Sequence, residues 1–349
     1  MQRSRFFAGC DCASPQLGRR GFLGAATALA ATAVAGPGMA QDKPRRIDTH
    51  HHVCPPSWVA ALKKAKMDAP PINNWTPEHT LEDMDRAGTA TSILSVTQPA
   101  VSFLPPADAA ALARDSNEYA TGLAQKFPDR FGLFAVVPMP YVDETLKEIA
   151  YALDVLKADG IGFMTSYGDK YLGHPDFAPV FAELNRRKAT VYIHPLGPAC
   201  CVNLAGLADV AVEYGTDTTR TLGNLVMSGA AEKMPDIKFI FSHAGGSITS
   251  FIERFTTQLP HYGPKWTDFN YDRVMAQVGR FYYDTAQSAN PVTMAALRQM
   301  VASTQIVFGS DYPYRTSADQ VANLQKIFDA KTMGMIERSN AQKILPRWA

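Results

Sequence analysis

The sequence predicts an α/β protein built as a (β/α)8 TIM barrel. Three observations predict it: short apolar runs rich in Val, Ile and Phe recur along the chain, amphipathic stretches separate them, and polar side chains gather where the runs end. The runs are Arg46 to His50, Thr91 to Val96, Phe131 to Val137, Ile161 to Thr165, Thr190 to His194, Ile237 to Ser242, Arg280 to Asp284 and Gln305 to Ser310. Ala107 to Lys126, Val142 to Ala158 and Phe177 to Lys188 carry apolar residues three and four apart, the period of a helix with one buried face. Eight such strands, each followed by helical chain, match a closed barrel. No self-similarity of roughly 20 to 50 residues is visible, which excludes a solenoid. Cys54 to Pro77, with paired prolines and with Trp58 and Trp75, far exceeds a βα loop of about 2 to 6 residues. It predicts an insertion over the barrel mouth.

Residues 1 to 40 stand apart from this pattern. Arg19-Arg20-Gly21-Phe22-Leu23 opens an Ala-rich apolar stretch that runs to Ala35, and Gly38-Met39-Ala40 offers small residues at a cleavage spacing. This predicts a twin-arginine export signal, a mature chain of residues 41 to 349, and a periplasmic or secreted location. The apolar core is shorter than the roughly 18 to 20 residues of a membrane span, so no membrane attachment is expected after cleavage. Without the first forty residues the chain keeps 30 Lys and Arg against 32 Asp and Glu. A balance so close to neutral, with no basic run, gives no reason to expect a nucleic-acid partner. Cys54, Cys200 and Cys201 are too few for a disulfide framework and read as free thiols.

The reactive side chains of a barrel project from the C-terminal ends of its strands. Asp48-Thr49-His50-His51-His52 closes the first run, and alternation along a strand sets His50 and His52 on one side with His51 on the other. His194 ends the fifth run, His243 the sixth, and Asp311 follows the eighth. The chain has eight histidines, and four of them fall at strand ends in one layout. Three neutral imidazoles and a carboxylate, His50, His52, His194 and Asp311, suit Zn²⁺ or a similar borderline ion such as Mn²⁺, and leave a coordination position open for substrate or water.

These residues resemble the amidohydrolase superfamily, in particular its branch related to aminocarboxymuconate-semialdehyde decarboxylase. The likeness runs through Ile47 to His52, Leu81 to Gly88 (LEDMDRAG), Phe127 to Phe131 (FPDRF), Ile193 to Pro195, the HAGG beginning at His243 and the GSDYP beginning at Gly309. Ala158 to Gly173 (ADGIGFMTSYGDKYLG) and Glu183 to Pro195 are most similar to 6-methylsalicylate-type decarboxylases. The resemblance implies a barrel of the metal-dependent hydrolase type and a non-oxidative decarboxylase of a hydroxylated aromatic or muconate-like acid. It further implies that His50, His52, His194 and Asp311 are metal ligands and that Asp311 or His243 handles the proton. Binuclear members of the superfamily carry a bridging Lys or Glu at the end of the fourth strand. Ile161-Gly162-Phe163-Met164-Thr165 has neither, which implies a single ion.

Trp58, Tyr167 and Tyr314 are candidate walls for a flat ring, and Asp284 is a candidate substrate contact or an orienting partner for His243. His79 and His174 read as surface or loop residues. The same ligands serve two rival functions: hydrolysis of a lactone, ester or amide by an activated water, and non-catalytic binding of a metal or small molecule. The expected partner is a small carboxylic acid, with self-association of the chain an open possibility.

Overall fold

In the computed structural model the described residues are 45–198, 201, 205–262 and 270–349; the segment expected to be an export signal and Cys200 lie outside them. Eight strands form one sheet in chain order: β1 (Arg46–His52), β2 (Thr89–Ser95), β3 (Phe131–Val136), β4 (Gly160–Met164), β5 (Thr190–His194), β6 (Lys238–Phe241), β7 (Tyr282–Asp284) and β8 (Ile306–Val307). Each adjacent pair is parallel. A two-stranded hairpin, Ser166–Tyr167 with Lys170–Tyr171, follows β4. Among the described residues no helix is long and apolar enough to cross a membrane.

The ring closes between β1 and the chain leaving β8. Thr49 N–H donates to Phe308 O at 2.9 Å, Asp311 N–H to His50 O at 2.9 Å, and His52 N–H to Tyr312 O at 2.8 Å. These bonds explain two departures from the expected boundaries. The first strand runs on to His52, and the eighth stops at Val307 because Gly309 to Tyr312 turn aside to bond β1.

Two apolar cores result. Ile47, Ile93, Phe134, Tyr192, Ile240 and Val307, one from each of six strands, form a separate cluster that fills the barrel interior. Phe134 stacks on Tyr192 with ring centroids 5.3 Å apart. The larger cluster lies between the outer faces of the strands and the helices. Helix starts follow side-chain chemistry: Thr76, Asn270, Asn290, Thr316 and Asp329 each accept a backbone N–H of the first turn.

The stretch from Cys54 to Pro77 is two helices, Pro56–Ala65 and Pro70–Asn73, tied into the larger core. Trp58 is wholly buried and donates its indole N–H to Ala100 O at 2.7 Å, while Leu62, Ile72 and Trp75 are buried beside it. The expected insertion is a packed brace whose apolar side chains are buried in the larger core.

The interior core is stopped at its lower end by the last helical residues, Ala341, Ile344, Leu345 and Trp348. Trp348 donates to Asp159 Oδ1 at 2.9 Å, and Asp159 Oδ2 accepts Leu133 N–H at 2.9 Å. A Trp348→Ala substitution should lower unfolding free energy by about 3 to 5 kcal/mol, the usual result of emptying an aromatic site. Urea unfolding followed by circular dichroism reads this, and a change under about 1 kcal/mol would show that the C-terminal segment does not plug the barrel.

Candidate metal centre

His50 and His52 leave β1 on the same side, towards the barrel axis. The His50 ring meets that of Tyr192 in the interior cluster at 5.3 Å, yet Ile47, three residues earlier, lies in the same cluster. Strict alternation would set residues 47 and 50 on opposite faces. The register between β1 and β2 shifts between Asp48 and His51, and that irregularity restores both to the inside. His51 faces away, stacked on Tyr312, with its Nδ1 3.0 Å from Asp48 Oδ2.

The structure brings His50, His52, His194 and Asp311 together: one ligand atom from each lies within 4.8 Å of the others, and all four residues are buried. Each imidazole is anchored through Nδ1. His50 donates to Asp284 Oδ2 at 2.8 Å, His52 to Ser95 O at 3.3 Å and His194 to Pro195 O at 2.7 Å. With Nδ1 so engaged, Nε2 is the atom left to bind a cation. The Nε2 atoms of His50 and His52 are 3.2 Å apart, and each lies 3.1 Å from Asp311 Oδ1. Four donors converging on one buried point fit a borderline divalent ion.

The electrostatics fit as well. Burial drives His52 below its ordinary value, and burial with the neighbouring His52, His50 and His243 drives His194 far below it, so both are held as neutral ligands. At His50 burial acts downward too, but the carboxylates of Asp284 and Asp311 prevail and raise it to about 10, so its Nε2 holds a proton that a bound cation would displace. Burial would raise Asp311, yet His50 and the hydrogen bonds from His243, His50 and His52 hold it well below the usual carboxylate range. Two buried carboxylates thus draw positive charge to this point.

Asp311 divides its two oxygens. Oδ1 faces His50 and His52, whereas Oδ2 accepts from Gln287 Nε2 and lies 3.4 Å from His243 Nε2. His243 is aimed by a run of left-handed backbone, with φ of 53° at His243, 57° at Ala244, 75° at Gly245 and 68° at Gly246. Gly246 lies so close to Gly215 O that a Cβ would collide with that carbonyl. Asp284 Oδ1 accepts His243 N–H at 2.9 Å and Ala286 N–H at 3.0 Å.

A cavity of about 730 Å³ opens beside the cluster at the C-terminal end of the barrel. His194, His243 and Asp311 line it together with Gln98, Tyr214, Gln287 and Tyr314. Of the candidate ring contacts, Tyr314 alone lines this cavity, with its ring edge-on to His52 at 5.8 Å. Trp58 is sealed in the brace. Tyr167 is buried, its hydroxyl accepting Met164 N–H at 2.9 Å. Asp284 has no exposed surface and does not line the cavity; from behind it holds His50 and the His243 backbone. His79 is exposed, and His174 Nδ1 accepts Asp176 N–H in its loop. Cys54 is a buried free thiol, with burial raising its pKa far above the ordinary range.

Sequence reasoning missed Gln98, Tyr214 and Gln287. Gln98 and Gln287 lie just beyond strand ends, where position alone could have flagged them. Tyr214 belongs to helix Asp209–Met227, whose orientation nothing in the sequence states.

Comparison with known proteins agrees with the geometry. The chain is 37% identical over 326 residues to the decarboxylase yanB of Aspergillus niger, covering 87% of this chain and 88% of that protein. It is 36% identical over 316 residues to a 6-methylsalicylic acid decarboxylase of Penicillium expansum, covering 86% and 96%. The fold matches a 5-carboxyvanillate decarboxylase of Novosphingobium aromaticivorans, solved with manganese and 4-hydroxy-3-methoxy-5-nitrobenzoic acid, at a TM-score of 0.76 and 21% identity, over 88% of this chain and 97% of that one. The sequence profile of the family described as Amidohydrolase matches residues 47–347. With the barrel, the ligand cluster and this match in place, the chain belongs to the amidohydrolase family.

Proposed function

We propose that this protein is a metal-dependent, non-oxidative decarboxylase of a hydroxylated aromatic carboxylic acid, with one divalent ion held by His50, His52, His194 and Asp311. The observation that carries the reading is the divided Asp311 carboxylate, one oxygen on the ligand cluster and the other toward His243 at the cavity. The decarboxylases that match most of its length support the reaction class.

When bound, the ion would supply Lewis acidity and a grip on the substrate carboxylate and a neighbouring oxygen. The chain's own residues do the rest. Asp311, ionised at rest, takes a proton from His243 at Oδ2 and passes it to the ring carbon that bears the carboxylate, making that carbon tetrahedral. The carbon–carbon bond then breaks, CO₂ leaves, and the bonding pair returns to the ring, so arylcarboxylate and one proton become arene and CO₂. His243 Nε2, at 3.4 Å, is placed to reprotonate Oδ2, and Gln287 keeps that oxygen turned to the cavity. No redox cofactor enters this balance. The imidazole-rich set suits Zn²⁺, and the manganese in the carboxyvanillate enzyme makes Mn²⁺ the alternative.

The test is CO₂ release from a panel of o-hydroxybenzoates by protein loaded with Zn²⁺ or Mn²⁺. Hydrolysis of lactones, esters or amides with no CO₂ from any acid would move the protein to hydrolytic chemistry. Asp311→Asn should reduce CO₂ release at least about a hundredfold, the loss of roughly 2.7 kcal/mol or more from the transition state. Elemental analysis should find one ion per chain, falling in His194→Ala; two ions per chain would contradict the mononuclear reading. Asp284→Asn leaves every ligand in place but loosens the His50 ring. Its metal affinity should fall about 10- to 100-fold in a chelator competition, and unchanged affinity would leave Asp284 without an orienting role.

The Arg19-Arg20 segment further supports export through the twin-arginine route to the periplasm or beyond. Replacing both arginines by lysine should leave uncleaved precursor in the cytoplasmic fraction; cleaved protein outside it would overturn the assignment.

A further inference from the structure

We propose that Gln98 and Tyr214 are the specificity-determining pair of the cavity, admitting an aromatic acid whose only charge is the carboxylate to be removed and rejecting one with a second anionic substituent. The inference rests on the reading of this cavity as an aromatic-acid site.

The first observation is the charge inventory of the walls. Among the described lining residues Asp311 is the one carboxylate, and no Lys or Arg is present. Arg315, close in sequence to the ligand Asp311, is exposed and is not part of the lining. A substrate's first carboxylate has the cation site to face. A second would leave water with no Lys or Arg among the described lining residues to meet it, which disfavours it.

The second observation is a hydrogen-bonded string along one wall. Thr97 Oγ1 donates to Gln98 Oε1 at 3.1 Å, and Gln98 Nε2 donates to the Tyr214 hydroxyl oxygen at 2.5 Å. With its carbonyl engaged by Thr97, the Gln98 amide can only donate to Tyr214. Tyr214 thus serves as acceptor toward Gln98 and keeps its own proton for an acceptor in the cavity. Burial, with Asp209 and Asp311 nearby, raises its pKa to about 12, so the phenol remains a neutral donor near pH 7. A neutral oxygen on the ring, a phenol or carbonyl, satisfies that donor without bringing charge.

Calorimetric binding to the metal-loaded protein tests this with three probes: salicylate, 2,6-dihydroxybenzoate and 4-hydroxyisophthalate, which carries the second carboxylate. Wild type should bind salicylate at least about a hundredfold more tightly than 4-hydroxyisophthalate. Gln98→Arg supplies the missing counter-charge and should shrink that ratio at least about tenfold. Tyr214→Phe should shrink the preference for 2,6-dihydroxybenzoate over salicylate roughly 2- to 10-fold, the value of one hydrogen bond. Comparable affinities of wild type for the mono- and dicarboxylate would overturn the proposal without recourse to any variant. So would an unchanged ratio in a Gln98→Arg protein that melts as wild type does. Because the readout is binding, selective affinity with no CO₂ release would remove the decarboxylase reading and keep this one. Equal CO₂ release from salicylate and 4-hydroxyisophthalate would do the reverse.

Discussion

The buried pair between Asp284 and His50 is the interaction on which the rest of the site depends. Asp284 has no exposed surface, and its two oxygens hold the Nδ1 of one ligand and the backbone N–H of His243. It therefore fixes the ring that must present Nε2 to the cation and the turn that must present the proton-handling imidazole. A carboxylate so deeply buried is costly unless its charge is matched. Asp311 adds a second carboxylate at the same point, and burial holds His52 and His194 neutral beside it. A divalent ion would offset both charges at once, so loading the metal and stabilising this end of the barrel are one process.

Much of this was legible in the sequence, and the reason is periodicity. Parallel strands buried on both faces read as continuous apolar runs, so all eight could be placed, and the reactive residues follow from the rule that they stand at C-terminal strand ends. His50, His52, His194 and Asp311 come from three places far apart in the chain, and strand ends alone suffice to bring them together. What the sequence could not show is which side chains tertiary packing would leave open. Trp58 and Tyr167 are aromatic residues near strand ends, as Tyr314 is, but two are sealed by neighbours and one faces the cavity. Tyr214 reaches the cavity from a helix, and only the packing of that helix against the loop at Gly246 decides which face it shows.

Two of the places where local rules break serve the site. The register shift within β1 spoils an even alternation yet lets an interior apolar residue and a ligand share one face. The left-handed run from His243 to Gly246 carries two non-glycine residues where φ is costly. Neither irregularity improves the barrel as a barrel. Both re-aim a side chain that regular geometry would point elsewhere, and a site assembled from ideal strands would lose His50 from the ligand cluster or His243 from the cavity.

The closing seam of the barrel also passes through the site. Asp311 N–H bonds His50 O, so the backbone of one ligand residue is hydrogen-bonded to that of another. The C-terminal segment braces this seam from both sides. Ile336 O accepts Phe308 N–H next to β8, and Glu337 pairs with Arg46 at 2.8 Å and with Arg45 at 3.2 Å at the start of β1. Asn340 Nδ2 adds hydrogen bonds to Ser303 O and Ile306 O, both at 2.8 Å. A chain end remote from the cavity thereby sets the separation of the first and last strands, and with it the distance between the His50 and Asp311 side chains. Loosening the brace would open the barrel at the one joint where two metal ligands meet, so damage at the C-terminus would reach the chemistry before it unfolded the helices around it.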